Sequence, residues 1–311
     1  MMNPIIRVRD AAFPRFRGPD LDEMERYLLD FGMRRSARTE SALYMRGTDR
    51  AHHVHVTHVG DSAFLGIAFE ANSGADLDVL AEATGASVEM LDEPGGGRVV
   101  HLSDPDGRQV DVVHGIATLE PLPLQTHPPL NSGLARPRAN TLQRVEAGPA
   151  QVKRFGHAAI KTTSLAEVAR WYQEHLGLLA SDDVYVEEPD KPVGRFLRCD
   201  RGSDAADHHT LLVLETPEAK LGHAAWEVHD FDDLMVGHDH LGRTEGYRHY
   251  WGIGRHVLGG QIFDYWKDPL GFTVEHWTDS DLLTAEVPAG SHLIFDALNQ
   301  WGPNPPPDLD F

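Results

Sequence analysis

The chain has 311 residues, enough for two domains that each bury a core, and its 28 basic and 48 acidic residues give a formal charge of −20. This acidic excess argues against nucleic acid or an anionic membrane as a partner, since both bind basic surfaces. There is no run of about 18 apolar residues, no apolar signal-peptide core near the first residue and only one cysteine, so we expect a cytoplasmic protein without a membrane span or an internal disulfide.

The first half predicts a strand, a helix and then several short strands. Residues 7–13 form a strand-like run, and residues 23–33 follow with a helix pattern that ends at a glycine, the residue type suited to a left-handed C-cap. Further strand-like segments lie at residues 43–46, 69–71 and, after a turn, 104–111. This order of elements predicts an α+β unit with mixed sheets.

Residues 116–150 separate the two halves. They are rich in proline and polar residues, a composition typical of linkers. They divide the chain into a first domain at residues 1–115 and a second domain at residues 151–285. Residues 286–311 are again rich in proline and are predicted to form an extended C-terminal extension.

The second half repeats the first. A strand-like run, a helix pattern, a strand followed by two adjacent histidines, and a turn followed by a strand recur in the same order. The corresponding segments lie at residues 154–160, 167–178, 196–199, 226–228 and 268–275. Because chance similarity would not keep this order, the pattern indicates a duplication and two similar domains.

Three side chains of the second half are candidates for a metal site. His157 lies within an apolar strand-like run, His223 near the start of another, and Glu275 in the strand after the turn at residues 268–271. A carboxylate in an apolar strand is costly to bury unless it is paired or binds a metal. Two imidazoles and one carboxylate on one face of an ion form the facial triad of non-haem Fe(II) oxygenases, which leaves positions open for substrate and oxygen.

Each of these residues taken alone has a simpler interpretation. A single histidine in a strand is more often a core or edge residue, and Glu275 could face solvent. The repeat weakens these alternatives, because each candidate lies on a corresponding element of the duplicated unit. At the matching positions the first half has Asp10, Gly66 (or Ile67) and Asp111, so we expect that half to pack against the second without binding the same metal.

Two further blocks of the second half carry a family resemblance. The first block, residues 254–269, contains His256 and then Tyr265, and Glu275 follows it. The second block, residues 207–211, contains two adjacent histidines and precedes His223. These blocks resemble the vicinal oxygen chelate superfamily and, within it, the two-domain type I extradiol dioxygenases. The resemblance covers nearly the whole chain and implies an α+β fold of tandem βαβββ modules, with the active site in the C-terminal of two similar domains.

The resemblance also implies roles for individual residues. His157, His223 and Glu275 would bind Fe(II), and the same ligands would accept Mn(II). Three catalytic side chains are implied beside the ion, namely His209, His256 and Tyr265. His208 competes with His209 for the acid–base role. We favour His209 because the residues after it fit the family pattern better, and strand alternation allows only one of two neighbours to face the ion.

The reaction implied is the extradiol (meta) opening of a catechol-type ring in aromatic compound catabolism. Both atoms of O2 would enter the substrate to give a muconic semialdehyde-type product, with His209 acting as acid or base. The partners implied are a small catecholic substrate, O2 and further copies of the chain in a homo-oligomer. Three alternatives use the same scaffold: a glyoxalase-type lyase, a hydroquinone or hydroxyphenylpyruvate-type dioxygenase, and a non-enzymatic protein that binds a small molecule.

Two other groups of histidines are interpreted as lying outside any metal site. Residues 237–240 contain two histidines after an acidic segment that predicts a helix start, and we expect them on a solvated helix face. His52, His53 and His55 lie in the half that lacks the triad, and we expect them at the surface or at an interface.

Overall fold

The first half of the chain forms one mixed sheet with two helices. The structure is a computed structural model that describes residues 3–307. Within this range the first half contains β1 (Val8–Gly18), α1 (Leu21–Asp30), β2 (Arg34–Arg38), β3 (Ala42–Arg46), β4 (His55–Val59), β5 (Ala63–Ala71), α2 (Gly74–Thr84), β6 (Val88–Met90), β7 (Arg98–Ser103) and β8 (Gln109–His114). The strands are ordered β2-β3-β4-β1-β5-β8-β7-β6, with the antiparallel pair β1 and β5 at the centre.

The second half forms a larger sheet of the same kind. It contains β9 (Val152–Thr162), α3 (Leu165–Leu176), β10 (Leu179–Tyr185), β11 (Pro192–Arg198), β12 (Ala206–Asp207), β13 (Leu211–Glu215), β14 (Lys220–Val228), α4 (Phe231–Arg243), β15 (Arg248–His256), β16 (Ile262–Lys267), β17 (Thr273–Thr278), β18 (Leu282–Leu283), β19 (Gly290–Leu293), a 3-10 turn (Ile294–Asp296) and β20 (Asn299–Trp301). The main sheet is ordered β19-β10-β11-β13-β9-β14-β17-β16-β15-β20, and β12 pairs with β18.

The prediction of an α+β fold with two similar domains is confirmed, and the structure reveals a finer repeat. In the part of the chain that is described, the order strand, helix and three strands of the main sheet occurs twice in each half, starting at β1, β5, β9 and β14, and the short β12 interrupts the third of these units. The second unit of the first half includes α2, which the sequence pattern did not predict. This helix begins with a capping box formed by Ser73 and Asp76.

The two halves share a hydrophobic core. Phe31, which follows α1, stacks on His276 of β17 at a ring distance of 3.7 Å, and the His276 Nε2–H donates to the Phe31 carbonyl. The indole N–H of Trp226 on β14 donates to the carbonyl of Val54. These buried contacts fix the first half against the sheet of the second half.

The segments outside the two repeats attach to them in different ways. Residues 116–150 contain no helix or strand, and their N–H groups at Leu119 and Leu122 donate to carbonyls of the first half. The described part of the C-terminal extension adds β19 beside β10 and β20 beside β15, both at edges of the second sheet. Within residues 3–307 no helix is both long and apolar enough to span a membrane.

Candidate active site

The register of three adjacent strands brings the predicted metal ligands together. Ala225 of β14 is paired with His157 of β9 on one side and with Glu275 of β17 on the other. His223 lies two residues before Ala225, and alternation along the strand places it on the same face. The small side chain of Ala225 therefore lies between three larger ones that all project into the same space.

The ligand atoms of these residues form a compact triangle. His157 Nε2 and His223 Nε2 are 3.3 Å apart, and they lie 3.2 and 3.3 Å from Glu275 Oε2. His157 and Glu275 are buried, and the His223 side chain is 15% exposed. A single ion can contact all three atoms at once.

The electrostatics of this triangle favour a cation. Burial lowers the pKa of His157 and of His223 to about 3, so both imidazoles are neutral and cannot act as counter-ions for Glu275. Neither carboxylate oxygen of Glu275 has a hydrogen-bond partner among the described residues. A buried carboxylate facing two nitrogen lone pairs is costly without a cation, so the donor set fits a divalent metal ion.

His209 lies beside the triangle and is linked to a chain of polar groups. Its ring is 4.2 Å from that of His157, and its Nδ1 is 3.2 Å from Nδ1 of His208. His208 turns the other way, and its Nε2–H donates to Asp182 at 2.7 Å. Asp182 also accepts from His292 of β19 at 2.9 Å. The structure thus brings His209 to the triad and directs His208 towards Asp182.

This hydrogen-bond chain assigns the proton on His209. A carboxylate only accepts hydrogen bonds, so His208 carries a proton on Nε2, and in the tautomer that satisfies both contacts its Nδ1 accepts from the Nδ1–H of His209. The Nε2 of His209 then carries a lone pair. Burial and the neighbouring imidazoles hold the pKa of His209 well below its ordinary value, which keeps that lone pair free of a proton at neutral pH.

His256 and Tyr265 form the opposite wall of the site. Tyr265 of β16 is paired in register with Glu275, and His256 ends β15. The His256 Nδ1–H donates to the Leu298 carbonyl, so its Nε2 accepts from the Tyr265 hydroxyl at 3.0 Å. Burial beside Glu275 raises the pKa of Tyr265 well above its ordinary value, so the phenol remains a donor.

These side chains line one cavity of about 370 Å³. Its wall includes His157, His209, His223, His256 and Tyr265, and it is completed by apolar and cationic side chains. The apolar ones include Phe196, Leu212, Trp251 and Leu258, and the cationic ones are Lys161, Lys220 and Lys267. The volume and the mixed lining suit a small, partly polar aromatic molecule.

The sequence pattern did not predict the outer members of the hydrogen-bond chain that starts at His209. Nothing in the sequence singled out Asp182 or His292, because their link to His208 depends on pairing between distant strands. Two nearby arginines do not line the cavity: Arg195 pairs with Asp183, and Arg255 pairs with Asp279.

The equivalent position in the first half holds an arginine side chain. Ala68 of β5 is paired with Phe13 and with Asp111, as Ala225 is paired with His157 and Glu275. The predicted equivalence of Asp10 with His157 is therefore wrong. Bulges in β1 on both sides of Phe13 shift the register and make Phe13 the counterpart of His157.

Arg15 occupies the space beside Asp111 in that half. Its Nε–H donates to Asp111 at 2.7 Å, and its other nitrogens donate to Glu93 at 2.6 and 3.1 Å. Burial alone would raise the pKa of Asp111, but the hydrogen bond from His101 and the charge of Arg15 hold it below its ordinary value. A built-in guanidinium thus neutralises the carboxylate that corresponds to Glu275.

Replacing Arg15 by methionine should destabilise the protein by roughly 3–5 kcal/mol, because it leaves two acidic groups without their buried cation. Urea unfolding measures this, with Arg17→Met as a control, since Arg17 makes only an exposed hydrogen bond to a backbone carbonyl. Adding Asp111→Asn to Arg15→Met should recover part of the loss. Because the folded-state pKa of Asp111 is lowered, its contribution to stability is complete at neutral pH and is lost as the pH falls below about 4. An Arg15→Met loss no larger than that of the control would contradict this account.

The remaining histidines differ in part from their predicted positions. His53 and His55 are 3% and 1% exposed, so the predicted surface position is wrong for both. The predicted interface position agrees with the contact of His55 with Trp226, where the halves meet. His238 and His240 of α4 are half-buried and hydrogen-bonded to Asp264 and Asp30, so the solvated helix face predicted for them is also wrong.

Comparison with known proteins finds similarity in sequence over half of the chain and similarity in fold over nearly all of it. No known family model matches the chain. Metapyrocatechase 2 of Cupriavidus necator is 34% identical over 158 residues, which cover 50% of this chain and 46% of that protein. The matched stretch thus spans about half the length of each protein.

Solved structures match nearly the whole chain. The Mn(II)-bound glyoxalase of Novosphingobium aromaticivorans has a TM-score of 0.79 at 23% identity and covers 97% of this chain and 94% of its own. Homoprotocatechuate 2,3-dioxygenase of Brevibacterium fuscum, in complex with 3,4-dihydroxyphenylacetate, has a TM-score of 0.80 at 20% identity and covers 98% and 92%. The enzyme of the same name from Arthrobacter globiformis has a TM-score of 0.78 at 20% identity and covers 98% and 91%.

The chain thus shares its fold with these solved structures, and the triangle of His157, His223 and Glu275 lies within that fold. In sequence, the chain is similar to metapyrocatechase 2 over about half of its length.

Proposed function

We propose that the protein is an extradiol ring-cleaving dioxygenase that inserts both atoms of O2 into a catechol-type substrate. The observation that carries this proposal is the convergence of two neutral imidazoles and an unpaired buried carboxylate on one point of the cavity. His209, His256 and Tyr265 line the same cavity and can transfer protons or hydrogen-bond a substrate, which supports the proposal. The similarity to metapyrocatechase 2 supports it as well. The substrate supplies all the electrons, so the reaction needs no external reductant.

We propose Fe(II) as the metal, with Mn(II) as the other ion that this ligand set suits. His157, His223 and Glu275 would hold it. When bound, such an ion supplies neighbouring coordination positions for the catechol and for O2.

The protein side chains would orient the substrate and move protons. The unprotonated Nε2 of His209 would accept a catechol proton on binding and return it when the ring opens. On substrate binding the Tyr265 hydroxyl would turn its hydrogen from His256 Nε2 to a substrate oxygen and stabilise the charge that develops there. The apolar part of the cavity wall would exclude water from these steps.

The decisive test is an assay of the anaerobically Fe(II)-loaded protein with a panel of catechols, which includes neutral, alkyl-substituted and carboxylate-bearing members. We expect O2 uptake in a one-to-one ratio with substrate and the appearance of a yellow ring-opened product. The panel also measures whether the lysines of the cavity wall select an anionic substituent. Isomerisation of a glutathione hemithioacetal without O2 uptake would instead favour a glyoxalase-type lyase.

Asp182 should act as a positioning residue for His209. In Asp182→Asn we expect kcat to fall roughly 10–100-fold, because the amide no longer fixes the proton on His208 Nε2. Metal content and KM should be unchanged, and the limb of the pH profile that reports on His209 should move to lower pH because an anion is lost from the chain. Asp183→Asn is the control, since Asp183 lies on the same strand and pairs with Arg195. A pH profile that matches the wild type would contradict the positioning role.

We also propose a cytoplasmic, homo-oligomeric protein. The single cysteine, Cys199, is buried, as expected in a reducing compartment. The C-terminal extension carries the exposed apolar side chains Phe295 and Trp301, which suit a contact between copies. Light scattering of the wild type beside a Phe295→Ser, Trp301→Ser variant tests this, and an unchanged mass in that variant would exclude this surface as the interface.

A further inference from the structure

A second group of metal-ligating side chains lies on the opposite face of the second sheet, against α4. Asp264 of β16 is fully buried, and its neighbour Tyr265 projects into the cavity on the other side. His238 of α4 and His249 of β15 both direct a ring nitrogen at this carboxylate. The cluster shares no side chain with the candidate active site.

The geometry of the cluster resembles that of the first triad. His238 Nδ1 lies 3.1 Å and His249 Nε2 lies 2.9 Å from the same oxygen, Asp264 Oδ1. The two imidazole rings are nearly perpendicular, at an interplanar angle of 89°. Among the residues described, only this group and the triad have three ligand atoms of His, Cys, Asp or Glu within 4.8 Å of one another.

The surroundings hold the carboxylate in place and leave space beside Oδ1. The Trp266 indole N–H donates to Oδ2 at 2.6 Å, the kind of hydrogen bond that commonly orients a ligating carboxylate. Gly252 faces Asp264 across β15 and β16, and a Cβ there would lie 3.3 Å from Oδ1. The glycine therefore keeps this side of the oxygen uncrowded.

The cluster is open to solvent where an ion would have to enter. The side chains of His238 and His249 are 28% and 33% exposed, whereas Asp264 is 0% exposed. Because the two imidazoles are partly exposed, water could complete the coordination of an ion held at this cluster. Two imidazoles and one carboxylate suit Zn²⁺, Co²⁺ or Ni²⁺ better than Mg²⁺ or Ca²⁺, which prefer oxygen ligands.

We propose that His238, His249 and Asp264 form a second binding site for a divalent transition metal of the Zn²⁺ type. The bound ion would replace the two imidazole protons that otherwise point at Asp264. It would tie α4 to β15 and β16, the strands that carry His256 and Tyr265. Its role would therefore be structural, bracing the wall of the first site from behind.

Binding of Co²⁺ to the full-length protein tests this proposal independently of the proposed dioxygenase activity. In a background variant with His157→Ala and Glu275→Ala, which disables the first site, we expect one equivalent of Co²⁺ with the absorption bands of a nitrogen- and oxygen-ligated ion. Adding His249→Gln should abolish this binding, because a glutamine amide is a poor metal ligand. The amide can still donate a hydrogen bond to Asp264 from the position of Nε2, so the fold should be kept. His240→Ala on the same helix is the control. It should still bind one equivalent of Co²⁺, since His240 pairs with Asp30 and not with Asp264.

A second measurement does not depend on the folding of the background variant. The metal-stripped wild-type chain should bind two equivalents of Zn²⁺, and the variant with His238→Asn and His249→Gln should bind one. Zn²⁺ should also raise the Tm of the metal-stripped wild-type chain more than that of the variant with His238→Asn and His249→Gln. One equivalent in the wild-type chain, or a stoichiometry that is insensitive to His249→Gln, would show a hydrogen-bonded cluster only and would overturn the proposal.

Discussion

Replacing Glu275 by glutamine is expected to abolish metal binding and ring cleavage together. The amide has no negative charge to offset the ion, and the two neighbouring imidazoles are neutral because burial lowers their pKa to about 3. The loss of metal affinity should exceed the roughly 10–100-fold that is typical when only a residue supporting a ligand is changed. Metal analysis after dialysis against Fe(II), followed by the O2-uptake assay on the same sample, measures both effects.

The same substitution has a second consequence that can be measured. Glu275 is 0% exposed and its oxygens lack hydrogen-bond partners, so the metal-free wild-type protein carries an uncompensated buried group. The metal-free Glu275→Gln variant should therefore be more stable than the metal-free wild-type protein, by about 1–3 kcal/mol. In the presence of metal the order should reverse, because only the wild type gains binding energy.

A matched control for Glu275 is available on the neighbouring strand. Glu227 of β14 lies outside the cavity and pairs with Lys153 and Arg154. Glu227→Gln should keep both metal content and activity. Metal-loaded, active Glu275→Gln protein would remove Glu275 from the site and with it the proposed metal centre.

Replacing His209 by phenylalanine should separate chemistry from metal binding. Phenylalanine fills the space of the imidazole but cannot accept a proton, and His209 does not belong to the triangle of ligand atoms. We therefore expect normal metal content and a fall in kcat of roughly 10²–10⁴-fold. Metal analysis and steady-state kinetics on the same preparation distinguish this result from a loss of the ion.

The first half of the chain provides the control for this variant. His53 and His52 are joined by the same Nδ1 to Nδ1 contact, at 3.1 Å, that joins His209 and His208 at 3.2 Å. His53 is equally buried, but it lies in the half where Arg15 occupies the space of the metal. His53→Phe should affect stability and leave kcat unchanged. A similar loss of kcat in both variants would mean that His209 acts through the fold and not through the reaction.

The sequence was sufficient to predict the duplication and to select three residues that the structure brings close together. Each of these residues lies in a strand whose apolar pattern is visible locally, and the corresponding strands recur in the same order in the other half. Those signals depend on alternation and turn chemistry within a few residues. For the same reason the α+β class could be predicted from the sequence alone.

Errors arose where a position depended on strand pairing. The bulges of β1 moved the counterpart of His157 from the expected Asp10 to Phe13, and a bulge cannot be located from an apolar pattern. The link from His208 through Asp182 to His292 spans 110 positions between its last two members. His238 was placed on a solvated face because its partner, Asp264, lies on a strand 26 residues further along.

The amino-acid sequence by itself determined which chemical groups are available and which local elements carry them. The tertiary structure alone decided which of the many histidines meet a carboxylate, and which carboxylate is left without a hydrogen bond. The physical reason is that alternation and capping are local properties of the chain. The register between distant strands, and the burial that removes water from a charged group, are set only when the sheets assemble.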